Sequence, residues 1–219
     1  MTMLPPVVPR LAHEERWSRH LAPEAAFSWL AAGWSDSDLD ERICDNCAAC
    51  HGIDAHGQLG FPNLTTTSWL WGGTPEDIAE TIRVGINAPR DDTRTAQMPA
   101  WGRDKLLSRD DVEKVTAYVR SLSFPTVATE TEPAVIEAGK AVFKANCVPC
   151  HGEDAKGKTE VGAPDLTGAH WTYGSDALTV YTTIWGGRQG HMPSWESRLS
   201  PLERKILALY VVDLRVPPP

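Results

Sequence analysis

Cys47-Ala48-Ala49-Cys50-His51-Gly52 and, one hundred residues further on, Cys147-Val148-Pro149-Cys150-His151-Gly152 are the stretches on which the reading of this chain turns. The agreement continues outward from them. Asp54, Ala55 and Gly57 match Asp154, Ala155 and Gly157 at the same offset, and Pro62 and Leu64 match Pro164 and Leu166 after a two-residue shift. Trp69, Trp71 and Gly72 match Trp171, Tyr173 and Gly174. Met98-Pro99-Ala100-Trp101 matches Met192-Pro193-Ser194-Trp195, and Ser108, Tyr118, Val119 and Leu122 match Ser200, Tyr210, Val211 and Leu214. The chain is an internal duplication.

Cys-x-x-Cys-His is the pattern of covalent haem attachment. Thiols three residues apart lie one helical turn from each other, so both reach the vinyl groups of one haem, and the following His offers its imidazole to the iron. Cys47, Cys50 and His51 form one such set; Cys147, Cys150 and His151 form the second. Two covalently attached c-type haems are therefore expected. A zinc site needs two more ligands and has no use for a His directly after the second Cys. Cys44 extends the first motif towards an iron–sulfur spacing, but no fourth Cys lies nearby and the second half has no counterpart. Cys44 is read as a small packed or surface residue.

A sixth ligand is expected from the segment downstream of each motif. Met98 lies 47 residues after His51 and Met192 lies 41 after His151, each followed by Pro, a small residue and Trp. A thioether favours reduced iron and raises the potential, as an electron carrier needs. The other two Met residues are Met1 and Met3, so the matched placement favours ligation over core filling. His191 stands beside Met192 as a competing imidazole, whereas Met98 has only Gln97 beside it; Met192 is preferred.

Pro62 and Pro164 are placed to orient the proximal His residues through a backbone carbonyl. Trp69, Trp71, Trp171 and Tyr173 are read equally as haem-packing or propionate-binding residues and as plain core. Arg83, Arg90, Arg94 and Arg188 are candidate propionate partners. His56 and His170 have no repeat partner and are assigned surface or propionate contacts.

At 219 residues with 42% hydrophobic and 23% charged residues, the chain suits two small globular domains. Each is small enough that a side-chain core alone is marginal, and a buried haem supplies the missing apolar area. The formal net charge of −8 and pI near 5.3 argue against nucleic acid as a partner. No stretch approaches the roughly 18 apolar residues of a spanning helix. Residues 1–9 are Pro-rich and lack the pattern of a signal peptide. Because covalent haem attachment normally takes place outside the cytoplasm, the expectation is that an export signal or anchor has been removed.

The expected domains are an extension over residues 1–33, a first domain over 34–124, a linker over 125–132 and a second domain over 133–219. The stretch Phe124-Pro125-Thr126-Val127-Ala128-Thr129-Glu130-Thr131-Glu132-Pro133 is polar, Pro-bounded and without apolar periodicity, hence the linker. Pro133 opens a helix turning Ile136, Gly139, Val142 and Phe143 inward; its counterpart carries Leu39 and Ile43. The last helix of each half starts at a Ser cap, Ser108 and Ser200, the latter with Pro201 and Glu203 as a capping box. No convincing alternating strand is present, and the fold class is all-α.

Residues 69–87 (WLWGGTPEDIAETIRVGIN) with QMPAW, and residues 138–158 (AGKAVFKANCVPCHGEDAKGK) with GAPDLTG, resemble the di-haem subunit of cbb3-type haem–copper oxidases, CcoP or FixP. The resemblance covers residues 36–214. It implies two tandem class I cytochrome c domains, each wrapping one covalently bound haem. It also implies a subunit tethered on the periplasmic side of a bacterial inner membrane, passing electrons from a donor cytochrome towards an oxygen-reducing core. Cys47, Cys50, His51 and Met98 would match the family's first haem site, and Cys147, Cys150, His151 and Met192 its second. The chain departs from the family in lacking the N-terminal transmembrane helix, in Leu39 and Ile43, and in residues 86–97, about eight residues longer than their counterpart. These departures leave room for a soluble relative serving another membrane complex. Electron relay leads. Catalysis of the peroxidase or thiosulfate dehydrogenase type needs an exchangeable distal position, for which His191 or the 86–97 loop would serve. Sensing of CO or NO needs a labile Met.

Overall fold

The computed structural model describes residues 45–215. The extension over residues 11–33, the helix expected around Leu39 and Ile43, and Cys44 lie outside the described residues. Helices and long loops make up the rest, and among the described residues the only β features are isolated bridges. The all-α expectation holds.

Among the described residues the helices in order are α1 (Ala48–His51), α2 (Pro75–Val84), α3 (Arg109–Ser123), α4 (Pro125–Glu130), α5 (Pro133–Asn146), α6 (Val148–His151), α7 (Ala177–Gly186) and α8 (Pro201–Asp213). Their starts follow from local chemistry. Thr74, Ser108 and Ser200 each close a full capping box, with Asp77, Asp111 and Glu203 reaching back to the cap N–H. Asp176 caps α7 through the Thr179 N–H at 3.0 Å. The 125–132 stretch, expected as the linker, carries α4, opened by Pro125 and pinned by buried Val127.

The closing helices are exchanged between the two sequence repeats. α3, the last helix of the first repeat, buries Val112, Val115 and Val119 against Phe143 of α5 and Val180 and Ile184 of α7, all second-repeat residues. Its backbone comes so close to α5 that a Cβ on Gly139 would lie 2.1 Å from the Lys114 carbonyl oxygen, and Tyr118 packs on Phe143 at 5.5 Å. α8, the last helix of the second repeat, reciprocally packs Ala208 and Val211 on Ile78 of α2 and on Leu64 and Trp69. Sequence-adjacent helices joined by a short connection pack as neighbours. Only α4 separates α3 from α5, so α3 docks forward onto the second repeat. α8 fills the place left open on the first. Because the repeats are homologous, the exchange uses equivalent apolar faces and costs little in packing.

Candidate haem-binding sites

Each attachment motif is a single helical turn. The Cys47 carbonyl accepts from the N–H of Cys50 and His51 at 3.1 and 2.9 Å, and the Cys147 carbonyl from those of Cys150 and His151 at 3.2 and 2.9 Å. The chain then turns through Gly52 and Gly152, at φ +80° and +78°, and returns the Gly57 and Gly157 N–H groups to the His51 and His151 carbonyls at 2.7 and 2.8 Å. The returning loop places the Pro62 carbonyl 2.9 Å from His51 Nδ1 and the Pro164 carbonyl 3.2 Å from His151 Nδ1. Nδ1 therefore donates, and Nε2 is left for a metal. Burial lowers the pKa of both imidazoles below the ordinary 6.5, against the opposing pull of the Pro carbonyls. Burial, then the neighbouring Cys50 and Cys150, pushes the Cys47 and Cys147 thiols up to about 11, so the free side chains are neutral thiols at physiological pH.

The distal segments run just upstream of the exchanged helices and are carried across with them. Met98 forms a bridge with Arg188, N–H to carbonyl at 2.8 and 3.1 Å, and its side chain packs in the cluster that holds Cys147, Val148 and Phe143. Met192 forms the mirror bridge with Ile86, 2.9 Å in both directions, and Trp195, three residues on, donates to the Ile82 carbonyl at 3.0 Å within the cluster that holds Cys47. The close approach is permitted by Gly85 and Gly187, where a Cβ would meet the Met192 and Met98 carbonyl oxygens at 2.4 Å. The sequence set Met98 with the first motif and Met192 with the second; the structure packs Met98 in the cluster of Cys147 and ties the Met192 segment to Ile86 and Ile82 of the first repeat. His191 is exposed beside half-buried Met192.

The remaining candidates divide by their partners. Trp69 and Trp171 give their indole N–H to Thr66 and Gly168 carbonyls at 2.9 and 3.1 Å, which makes them core residues. His56 pairs with Asp54 at 2.8 Å on the surface, and His170 is exposed. Arg83 and Arg90 are engaged by Glu80, Asp92 and Glu196, and Arg188 by Thr183. Trp71 Nε1 and Arg94 Nε are buried donors without a partner, and the Arg94 guanidinium lies 5.3 Å over the Trp71 ring. A buried unpaired donor is costly. Two side by side, with two thiols one turn apart, a free imidazole Nε2 and a thioether, fit a haem and its carboxylates.

The two sites share a wall. Trp71 lies against Gly162 in the loop after the second motif, where a Cβ would come within 2.4 Å of its ring, and Gly60 after the first motif faces Tyr173 and donates to the Thr172 carbonyl at 2.7 Å. No motif or repeat match marks Gly60 or Gly162 for this interlock.

Tandem all-α units with paired Cys-x-x-Cys-His motifs, carbonyl-oriented His residues and Met straps define a di-haem c-type cytochrome. The family model for cytochrome c matches residues 41–123, and that for cytochrome c oxidase, cbb3-type, subunit III matches residues 134–211. The cbb3-type cytochrome c oxidase subunit FixP of Bradyrhizobium sp. (strain ORS 278) is 48% identical over 170 residues, covering 78% of this chain and 58% of the relative. Subunit CcoP of Azospirillum brasilense is 46% identical over 177 residues (78% and 59%), and CcoP of Cereibacter sphaeroides 41% over 170 residues (77% and 57%). The chain is thus similar to CcoP and FixP subunits over 77–78% of its own length, and its two cytochrome c domains carry two covalently attached haems. It spans somewhat under three-fifths of the length of these relatives. No helix among the described residues is long and apolar enough to cross a membrane.

Proposed function

We propose that the chain relays electrons into a cbb3-type oxygen-reducing oxidase, as the subunit through which electrons enter; His51 and Met192 would hold the first haem's iron and His151 and Met98 the second's. The observation that carries this reading is the pair of Met straps, each tied by main-chain hydrogen bonds to the other repeat, Met98 to Arg188 and Met192 to Ile86, with Met98 in the cluster of Cys147. Bound haem supplies one-electron redox chemistry at its iron. The chain does the rest. Pro62 and Pro164 hold the two imidazoles with Nε2 presented, and the Met thioethers would bind the iron and favour its reduced state. Trp71 and Arg94 offer N–H donors to a haem carboxylate. The shared wall of Trp71, Gly162, Gly60 and Tyr173 keeps the two sites adjacent, so that an electron received at one is within reach of the other. Similarity to cbb3-type oxidase subunits supports an oxidase core as one partner on the periplasmic side of a bacterial membrane, and the net charge of −8 suits a donor cytochrome with a basic face.

The test is the absorption spectrum of the dithionite-reduced holoprotein before and after CO. Neither haem is expected to shift. Met192→Ala and Met98→Ala should each open one haem. In chains reduced to the first haem by Cys147→Ser and Cys150→Ser, only Met192→Ala should abolish the far-red methionine–iron absorption of the oxidised form. Stoichiometric CO binding by one haem of the unaltered protein would put catalysis or gas sensing ahead of relay.

A further inference from the structure

The excursion over residues 87–96 has no equivalent in the second repeat, and its polar side chains converge on the strap that carries Met192. The neck of the excursion is closed by the Asn87 N–H to the Arg94 carbonyl at 2.8 Å and by the Ala88 N–H to Thr93 Oγ1 at 3.0 Å. Asn87 stands at φ +49°, a left-handed conformation that Asn tolerates better than most residues. Its side-chain N–H groups donate to the Gly190 carbonyl, two residues before Met192, at 2.7 Å and to the Ala96 carbonyl at 2.9 Å. On the other side of Met192, Arg90 donates to Ser194 Oγ at 2.8 Å and pairs with Glu196 at 2.8 Å. Ser194 in turn donates to the Arg83 carbonyl at 2.6 Å, and Arg83 pairs with both Glu196 and Asp92 at 3.1 Å. The strap is therefore gripped two residues before and two residues after the Met. The Met98 strap has the main-chain bridge to Arg188, but the Arg188 guanidinium turns back onto Thr183 of the preceding helix α7 at 2.9 Å and lies 4.3 Å over Tyr173.

We propose that the 87–96 excursion is a clamp that fixes Met192 over the first haem, with Arg90 and Asn87 as positioning residues, so that the two distal bonds differ in how readily they open. The inference rests on the assignment of Met192 to the first haem. In the closed strap the Arg90 guanidinium is simultaneously satisfied by Ser194, Glu196 and Asp92. Displacing Met192 from the iron requires that set to be broken or carried along, and charge-assisted hydrogen bonds are the stronger ones.

The experiment uses the full-length holoprotein carrying Met98→Ala, in which the second haem is already open, and adds Arg90→Ala, Arg90→Lys or Ser194→Ala. CO binding to the reduced protein and the far-red methionine–iron absorption of the oxidised protein are read together. Arg90→Ala is expected to raise the fraction of first haem open to CO about tenfold and to weaken the far-red band. Ser194→Ala should move both readouts in the same direction by less. Arg90→Lys, which keeps the charge facing Glu196 and Asp92, should recover part of the loss. If Arg90→Ala and Ser194→Ala match the Met98→Ala parent in both readouts, the excursion is no clamp. Met192→Ala alone separates the two levels: if it leaves the first haem closed to CO, the axial assignment fails and the clamp fails with it.

Discussion

The two attachment loops share the hydrogen bonds that frame the two motifs despite a two-residue difference in length, whereas the two distal straps differ in theirs. From Cys47 to Leu64 and from Cys147 to Leu166 the same donors meet the same acceptors: His N–H to Cys carbonyl, Gly57 and Gly157 to the His carbonyl, Leu64 and Leu166 to Ala55 and Ala155, His Nδ1 to Pro. A loop that must present two thiols and an imidazole to one rigid plane tolerates little variation. The straps need only deliver a thioether, and there one side has acquired an ion-paired excursion while the other relies on main-chain bridging. Duplication kept the half of each site that is stereochemically demanding and let the other half diverge.

The largest effect should come from cutting along the packing unit instead of the sequence repeat. Residues 96–190 contain the Met98 strap, α3, α4, α5, α6 and α7, so this segment, matured with haem, should fold alone as a six-coordinate one-haem cytochrome. A five-coordinate or unfolded product, seen by its spectrum and circular dichroism, would break the claim that the exchange defines the units. Next in size are the glycines under the straps. Gly85→Ala places a Cβ against the Met192 carbonyl at φ +70°, and Gly187→Ala against that of Met98 at φ +69°. Each should destabilise by about 2 kcal/mol or more. Thermal melts followed in the methionine–iron band should show Gly85→Ala weakening the first haem and Gly187→Ala the second.

The caps of the exchanged helices make a smaller and sharper comparison. Ser108→Ala removes the capping box of α3 and Ser200→Ala that of α8, at a cost of about 1 kcal/mol each. Because the helices are exchanged, Ser108→Ala should loosen the second haem and Ser200→Ala the first; the reverse pattern in denaturant titrations would argue for repeats that close on themselves. The smallest expected effect is on pH. Hydrogen bonds from Arg90, then Arg83, hold Glu196 below the ordinary glutamate value of 4.5, and Arg90 holds Asp92 below the ordinary aspartate value of 3.8. Carboxylates depressed in the folded state stabilise it above their ordinary values, and that contribution is lost as pH falls through the lowered ones. Acidification below pH 4.5 should therefore weaken the first haem's methionine band ahead of the second's, a difference that Arg90→Ala should abolish.

The capping boxes at Ser108 and Ser200, the inward Gly139 and Phe143, and the Pro carbonyls behind the imidazoles were all legible, because each rests on contacts within a few residues or within one loop. The short helix within residues 125–132 was not, since its six residues gain order from packing Val127, not from periodicity. Trp71 and Trp69 were indistinguishable as letters. Only their surroundings separate an indole satisfied by Thr66 from one left unpaired beside Arg94.

By itself the sequence determined the chemistry: two haems, their thiols and imidazoles, and two methionines in reserve, because covalent attachment demands fixed spacing along the chain. Only the tertiary structure shows which repeat each methionine segment packs against. A duplicated chain offers every closing helix two equivalent faces to pack on, and the choice between them is set by connection length and by where α3 can dock, which no local pattern records.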